Sequence, residues 1–148
     1  MTEAITARGA PLAALARRCW HAVATLGELR AAAPSPLAVT LLGERLAIAQ
    51  LTAAGGPKVV AFADRCPHRS ARLSLGSVVT HGVAGTALRC AYHGWSYGAD
   101  GGCVSIPAAP DLAIPEKARA TAYEVQEAYG LLWVRLEAGW PTVIPVRL

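Results

Sequence analysis

Apolar residues in this chain fall in short runs separated by Gly, Pro and polar positions, the punctuation of strands rather than of long helices. Leu37 to Leu42 and Arg45 to Leu51 flank Gly43-Glu44, which predicts a two-residue hairpin. Before it, Pro11 to Arg18 predicts one helical turn after a loose start over residues 1–10. Cys19 to Ala24 predicts a first strand, Leu26 to Leu29 a turn, and the Ala/Pro/Ser stretch Ala31 to Pro36 a loop. Thr52 to Pro57 is Gly-rich and predicts a loop ahead of a strand over Lys58 to Ala63. Later, Ser96 to Gly98 and Cys103 to Ser105 bracket Ala99-Asp100-Gly101-Gly102 as another hairpin. Pro107 to Pro115 predicts a loop, and Ala118 to Val125 with Gly130 to Leu136 a last strand pair. Short strands at this spacing make an all-β domain, small and antiparallel.

Composition narrows the function classes. The 148 residues suffice for one domain with its own core, and 53% apolar against 16% charged residues excludes a disordered chain. The net charge of +4 is spread without a run of five basic residues, so nucleic-acid binding has little support; so mildly basic a surface fits an acidic electron-transfer partner equally well and most often serves only solubility. No stretch reaches the 18 apolar residues of a spanning helix, and the N-terminus lacks a signal-peptide core, so a cytoplasmic chain is expected. Disulfides are rare there. The four cysteines are therefore expected as ligands or buried thiols, with Cys19 and Cys103 filling the core.

The chemistry concentrates in residues 66–95, at two short words: Cys66-Pro67-His68 and Cys90-Ala91-Tyr92-His93. A Cys and a His two or three positions apart are poorly placed to share a helix face, but they converge at the tip of a bent loop. Two loops carrying one thiolate and one imidazole each admit two centres. One is a tetrahedral zinc site with all four side chains on one ion. The other is a dinuclear iron–sulfur cluster with the Cys pair on one iron and the His pair on the other. Zinc sites of this composition usually take both Cys from one segment and both His from another. Mixing the types within each segment favours the dinuclear centre.

The flanks carry a resemblance. CPHRSARLSLG and CAYHGWSYGADGGCVSIPA are similar to the cluster loops of Rieske proteins, in the form found in the N-terminal domain of Rieske non-haem iron (ring-hydroxylating) oxygenase α subunits. RCWHAVATLGEL, residues 18–29, resembles the opening of those subunits, and YEVQEAYGLLWVRLE, residues 123–137, the strand pair that closes their Rieske domain. Respiratory Rieske proteins carry an extra Cys in each loop; Ala71 and Tyr92 stand at those positions here.

The resemblance implies a division into an N-terminal extension over 1–17, a Rieske domain over 18–137 with both cluster loops at one tip, and an apolar tail over 138–148 that docks on a partner or folds back. It implies a [2Fe-2S] cluster held by Cys66, His68, Cys90 and His93, with Arg69, Tyr92 and Trp95 around it. The plain alternatives are surface charge for Arg69 and core packing for Trp95. It also implies partners: a mononuclear non-haem iron domain or subunit that receives the electrons, and a ferredoxin or NAD(P)H-dependent reductase that supplies them. The mononuclear iron needs two His and a carboxylate. The remaining His21 and His81 are expected to be structural and solvated, so oxygenation is expected of another domain or chain. A stand-alone Rieske ferredoxin is the second reading and a structural zinc module the third. The segment between His68 and Cys90 is longer than the family's usual one; the surplus, Val79 to Thr86, reads as a lengthened hairpin loop away from the ligands.

Overall fold

The computed structural model of the chain describes residues 12–83 and 85–139. In order they form α1 (residues 12–18), β1 (His21–Thr25), α2 (Leu26–Ala32), β2 (Leu37–Leu41), β3 (Glu44–Ala53) and β4 (Gly56–Ala63). A 3-10 turn (Leu73–Leu75) follows, then β5 (Ser77–His81), β6 (Gly85–Arg89), β7 (Ser96–Tyr97), β8 (Cys103–Ser105), β9 (Ala122–Ala128) and β10 (Leu131–Arg135). One sheet runs β1-β10-β9-β4-β3-β2 and the other β5-β6-β7-β8, and each neighbouring pair is antiparallel. The small antiparallel all-β domain expected from the sequence is the one observed.

Several local expectations are corrected. Leu26 to Leu29 is not a turn but the start of α2. Thr25 caps it: its hydroxyl accepts from the Glu28 N–H at 3.0 Å, and the Glu28 carboxylate accepts from the Thr25 N–H at 2.7 Å. The first hairpin turns one residue earlier than predicted, at Leu42-Gly43, where φ is 49° and 82°, and Glu44 already pairs with Leu41. Two successive positive φ angles match the right-handed twist of the strands they join. Thr52 to Pro57 does not loop out, because Thr52 pairs with Pro57 and Ala53 with Gly56. Within the surplus at Val79 to Thr86, residues 79–81 and 85–86 are likewise strand: Val79 pairs with Ala87, Thr80 with Thr86 and His81 with Gly85. The Thr86 hydroxyl accepts from the Thr52 N–H at 2.8 Å, fixing this hairpin against β3. β9 begins at Ala122 rather than Ala118. Ala118 and Ala120 bond Cys103 and Gly101 instead, at 2.8 Å each, and so tie the two sheets together.

β3 and β4 are buried on both faces, which explains their nearly unbroken apolar sequence. Leu46, Ile48, Val59 and Ala61 point into one cluster with Leu29, Leu41, Leu132 and Val134. The alternate residues Ala47, Ala49, Leu51, Val60 and Phe62 face the second sheet, where they meet Leu73, Leu88, Tyr97 and the thiols of Cys66 and Cys90. The two thiols thus sit in the seam between sheets. At the start of the chain, the Arg17 carbonyl accepts from the N–H groups of Leu136 and Glu137, and its guanidinium pairs with Glu137 at 2.7 Å, so α1 is laced to the end of β10. Of the expected N-terminal extension and apolar tail, residues 1–11 and 140–148 lie outside the described residues. Among the described residues no helix is long and apolar enough to cross a membrane.

Candidate metal centre

The first loop leaves β4 at Asp64, whose N–H donates to the Arg45 carbonyl at 2.8 Å. The Asp64 side chain is 1% exposed and its carboxylate accepts from the Ser74 N–H and hydroxyl, each at 2.7 Å, and from Arg72 Nε at 3.2 Å. The loop is therefore pinned at both ends by one carboxylate. Its far end passes Gly76, where any Cβ would overlap the Arg89 carbonyl oxygen immediately before Cys90. The two loops can approach this closely because nothing projects from Gly76.

Inside, both loops share one backbone plan. The N–H of Cys66 donates to Ala71 at 2.7 Å, and that of Cys90 to Trp95 at 2.8 Å; in return Ser70 donates to the Cys66 carbonyl at 2.8 Å and Gly94 to the Cys90 carbonyl at 3.1 Å. Each residue that donates back is left-handed, Ser70 with φ 59° and Gly94 with φ 75°. Ser70 is held in this less favoured conformation with its hydroxyl accepting from Arg65 Nε at 2.9 Å.

This plan buries the thiols and lifts the imidazoles. Cys66 and Cys90 are each 2% exposed. Burial pushes the Cys90 thiol up, while the N–H groups of Tyr92 and then His93 pull it down, and the neighbouring Cys66 side chain raises it again. Those amides favour a thiolate, as a ligating sulfur requires. The Tyr97 hydroxyl lies 3.1 Å from Cys66 Sγ, and burial first, then Cys66, drives its titration far upward, so it stays a hydroxyl. Above the thiols, the His68 and His93 rings lie 4.8 Å apart at 70°. The indole of Trp95 stacks on His68 at 4.4 Å and 8°, and the exposed Tyr92 ring leans on His93 at 3.8 Å. Desolvation, then His93 and Arg69, lower the His68 pKa and favour the neutral imidazole that a metal needs.

The donor set is thus split into a buried sulfur pair and an exposed nitrogen pair. Among the described residues no three His, Cys, Asp or Glu side chains gather as the ligands of a single ion. A lone tetrahedral ion needs all four donors at one point. A two-iron centre takes sulfur on one iron and nitrogen on the other, which is the partition seen. The side chains present fit the dinuclear group.

The remaining expected residues fall as follows. Arg69 is exposed beside His68. Trp95 is half-buried, at once packed on the core and stacked on His68, so its two readings merge. Cys103 is a free thiol packed on the same core, its Sγ 3.4 Å from the Ser105 carbonyl, and Cys19 is free, half-buried and just ahead of β1. His21 Nε2 lies 2.7 Å from the Ala16 carbonyl, and His81 is exposed at the end of β5. Sequence reasoning missed Asp64, Gly76 and Tyr97. Their only signal is position: two residues before Cys66, facing Arg89 across the second sheet, and two residues after Trp95.

Comparison with known proteins agrees. The profile of the Rieske [2Fe-2S] domain matches residues 19–116. The methylxanthine N1-demethylase NdmA of Pseudomonas putida is 47% identical over 133 residues, 87% of this chain and 35% of that protein. Oxidoreductase NdmD of the same organism is 39% identical over 110 residues, 74% of this chain and 17% of that protein. The solved structure of NdmB from Pseudomonas putida CBB5 superposes with a TM-score of 0.74 at 43% identity, covering 82% of this chain and 35% of the other. The chain spans about a third of the length of the demethylases it matches.

Proposed function

This chain belongs to the Rieske [2Fe-2S] domain family, whose cofactor is a Rieske-type [2Fe-2S] cluster, and from that premise we propose that it is the electron-transfer part of a non-haem iron oxygenase system. Cys66 and Cys90 hold one iron, and His68 and His93 the other. The cluster, when bound, accepts and releases one electron at a time. The protein shields the sulfur side in its core and leaves an imidazole edge at the surface through which electrons enter and leave. The acceptor is a mononuclear iron on another domain or chain, where O2-dependent hydroxylation or demethylation takes place; the demethylase names of the relatives favour demethylation. The donor is a ferredoxin or an NAD(P)H-dependent reductase.

The observation that carries this reading is the division of the four donors, thiols inside and imidazoles outside, by two loops of identical backbone plan. Replacing two thiolates by neutral imidazoles lowers the negative charge on the cluster and raises its potential above that of plant-type ferredoxins. Without a disulfide between the loops, a value in the low part of the Rieske range is expected, near about −150 mV. The match to oxidoreductase NdmD supports a second reading, in which the domain relays electrons toward an oxygenase instead of being part of one. The match to NdmA is longer and closer. A redox titration with metal analysis tests the proposal: reversible uptake of one electron per chain at low potential supports it. Zinc in place of iron, or no reversible uptake, would remove it.

A further inference from the structure

A histidine that ligates a metal ordinarily gives its second ring N–H to a carboxylate or a backbone carbonyl, and that bond fixes the plane of the ring. Among the described residues, no protein group hydrogen-bonds a ring nitrogen of His68 or His93. Both side chains are exposed, and the terminal torsion of a histidine is broad, so each ring would turn freely if nothing else held it. What touches them is other rings, and the two are held unequally. Trp95 belongs to the second loop, yet its indole lies flat on the imidazole of the first, 4.4 Å from His68 with the planes 8° apart. The left-handed turn at Gly94, φ 75°, sits between His93 and Trp95 and redirects the chain for this crossing. Trp95 is itself anchored. Its carbonyl accepts from the Cys90 N–H at 2.8 Å, and its side chain packs on the core that holds both thiols. His93 has no such support: the Tyr92 ring that leans on it is tilted by 45° and is 64% exposed.

We propose that Trp95 is the positioning residue of the imidazole side, its indole clamping the His68 ring in one plane across the two loops in place of the missing hydrogen bond. The proposal rests on the ligand reading above and adds the contact that keeps the exposed half of the centre assembled. A ring fixed before the metal arrives has little rotational freedom left to lose on ligation. A flat apolar surface also keeps water from one face of the imidazole, and stacked rings attract each other beyond the area they bury. Because clamp and clamped ring come from different loops, the first loop is complete only when the second has folded. A tryptophan that served merely as core filler would act through stability alone and leave the ligating nitrogens unchanged.

The test uses the cluster-loaded parent, Trp95→Leu, Trp95→Phe and Tyr92→Leu, each reduced with dithionite and mixed with a ferrous chelator. Iron release should be about tenfold faster in Trp95→Leu, within about threefold of the parent in Trp95→Phe, which keeps a flat ring, and within about twofold in Tyr92→Leu. Pulsed EPR of the reduced proteins reads the ligating nitrogens directly. In Trp95→Leu one of the two nitrogen couplings should shift while the other keeps its parent value. Release at the parent rate in Trp95→Leu, or equal acceleration in the Leu and Phe variants with both couplings unchanged, would overturn the clamp. Should Trp95→Leu take up no cluster, the cluster-free urea midpoints decide: a midpoint equal to that of Trp95→Phe supports the clamp, and a lower one contradicts it. A parent protein without any nitrogen coupling would remove the ligand reading itself, and the clamp with it.

Discussion

The hydroxyl of Tyr97 lies 3.1 Å from the Sγ of Cys66, and neither side chain reaches water: Tyr97 is 0% and Cys66 2% exposed. With the sulfur as a metal-bound thiolate, the hydroxyl is the donor. A donor to a ligating sulfur favours the reduced, more negative state. Tyr97→Phe keeps the ring in the core and removes only that bond. The variant should retain its cluster and show a potential lower by about 60 mV, the one-electron equivalent of a tenfold change in equilibrium. Protein-film voltammetry measures it.

Asp64 anchors the first loop through two bonds to Ser74 and one to Arg72. The carboxylate is 1% exposed but the Arg72 side chain is 46% exposed, so the two partners are not equivalent. Asp64→Ala leaves the part-buried N–H and hydroxyl of Ser74 without their acceptor and should cost about 2 kcal/mol. Arg72→Ala removes a solvated partner and should cost less than about 1 kcal/mol. Urea unfolding of the cluster-loaded proteins distinguishes the two.

How much of this was legible in the sequence depends on how local each feature is. The two Cys/His words stood out because each loop is complete within six residues, and the alternation of short apolar runs located most strands. The start of α2 was misread as a turn although Thr25 and Glu28 stand at capping-box spacing, because Gly27 and the short run suggested no helix. The surplus at Val79 to Thr86 was misread because its strand character comes from pairing across β5 and β6 and from Thr52 of the other sheet. Asp64, Gly76 and Tyr97 matter only through residues 10, 13 and 31 positions away, or across the sheet, and no local pattern encodes that.

Gly76 sets the distance between the loops. A methyl group there would overlap the Arg89 carbonyl oxygen and crowd the Leu73 carbonyl at 3.1 Å, and both are backbone. Gly76→Ala should therefore push the loops apart, destabilising the protein by about 3 kcal/mol and lowering the iron bound per chain. Gly43→Ala, at an open turn position with nothing within 4 Å, should leave the iron content unchanged.

Acid should weaken one identifiable contact in the hairpin that joins β7 to β8. The Gly102 N–H at 2.9 Å, and then Arg119, hold the Asp100 carboxyl below the usual carboxylate range. A folded pKa below the unfolded value of about 3.9 gives stability that is present above it and is lost as pH falls through the folded value. Asp100 is largely exposed, so the effect is screened and stays under about 1 kcal/mol. Asp100→Asn should be slightly less stable than the parent at neutral pH, and the gap should close as pH falls from about 5 toward 3. Urea midpoints across that range report it.

In the proposed centre, Cys66, His68, Cys90 and His93 together hold one two-iron cluster. The most direct measurement is the EPR spectrum of the dithionite-reduced protein, taken for the parent and for Cys103→Ala. The prediction is a brown protein whose reduced form gives a rhombic signal of low average g, unchanged in Cys103→Ala. A signal of the all-cysteine type that disappears in Cys103→Ala would contradict the ligand set, and a colourless, EPR-silent protein carrying zinc would contradict the cluster itself.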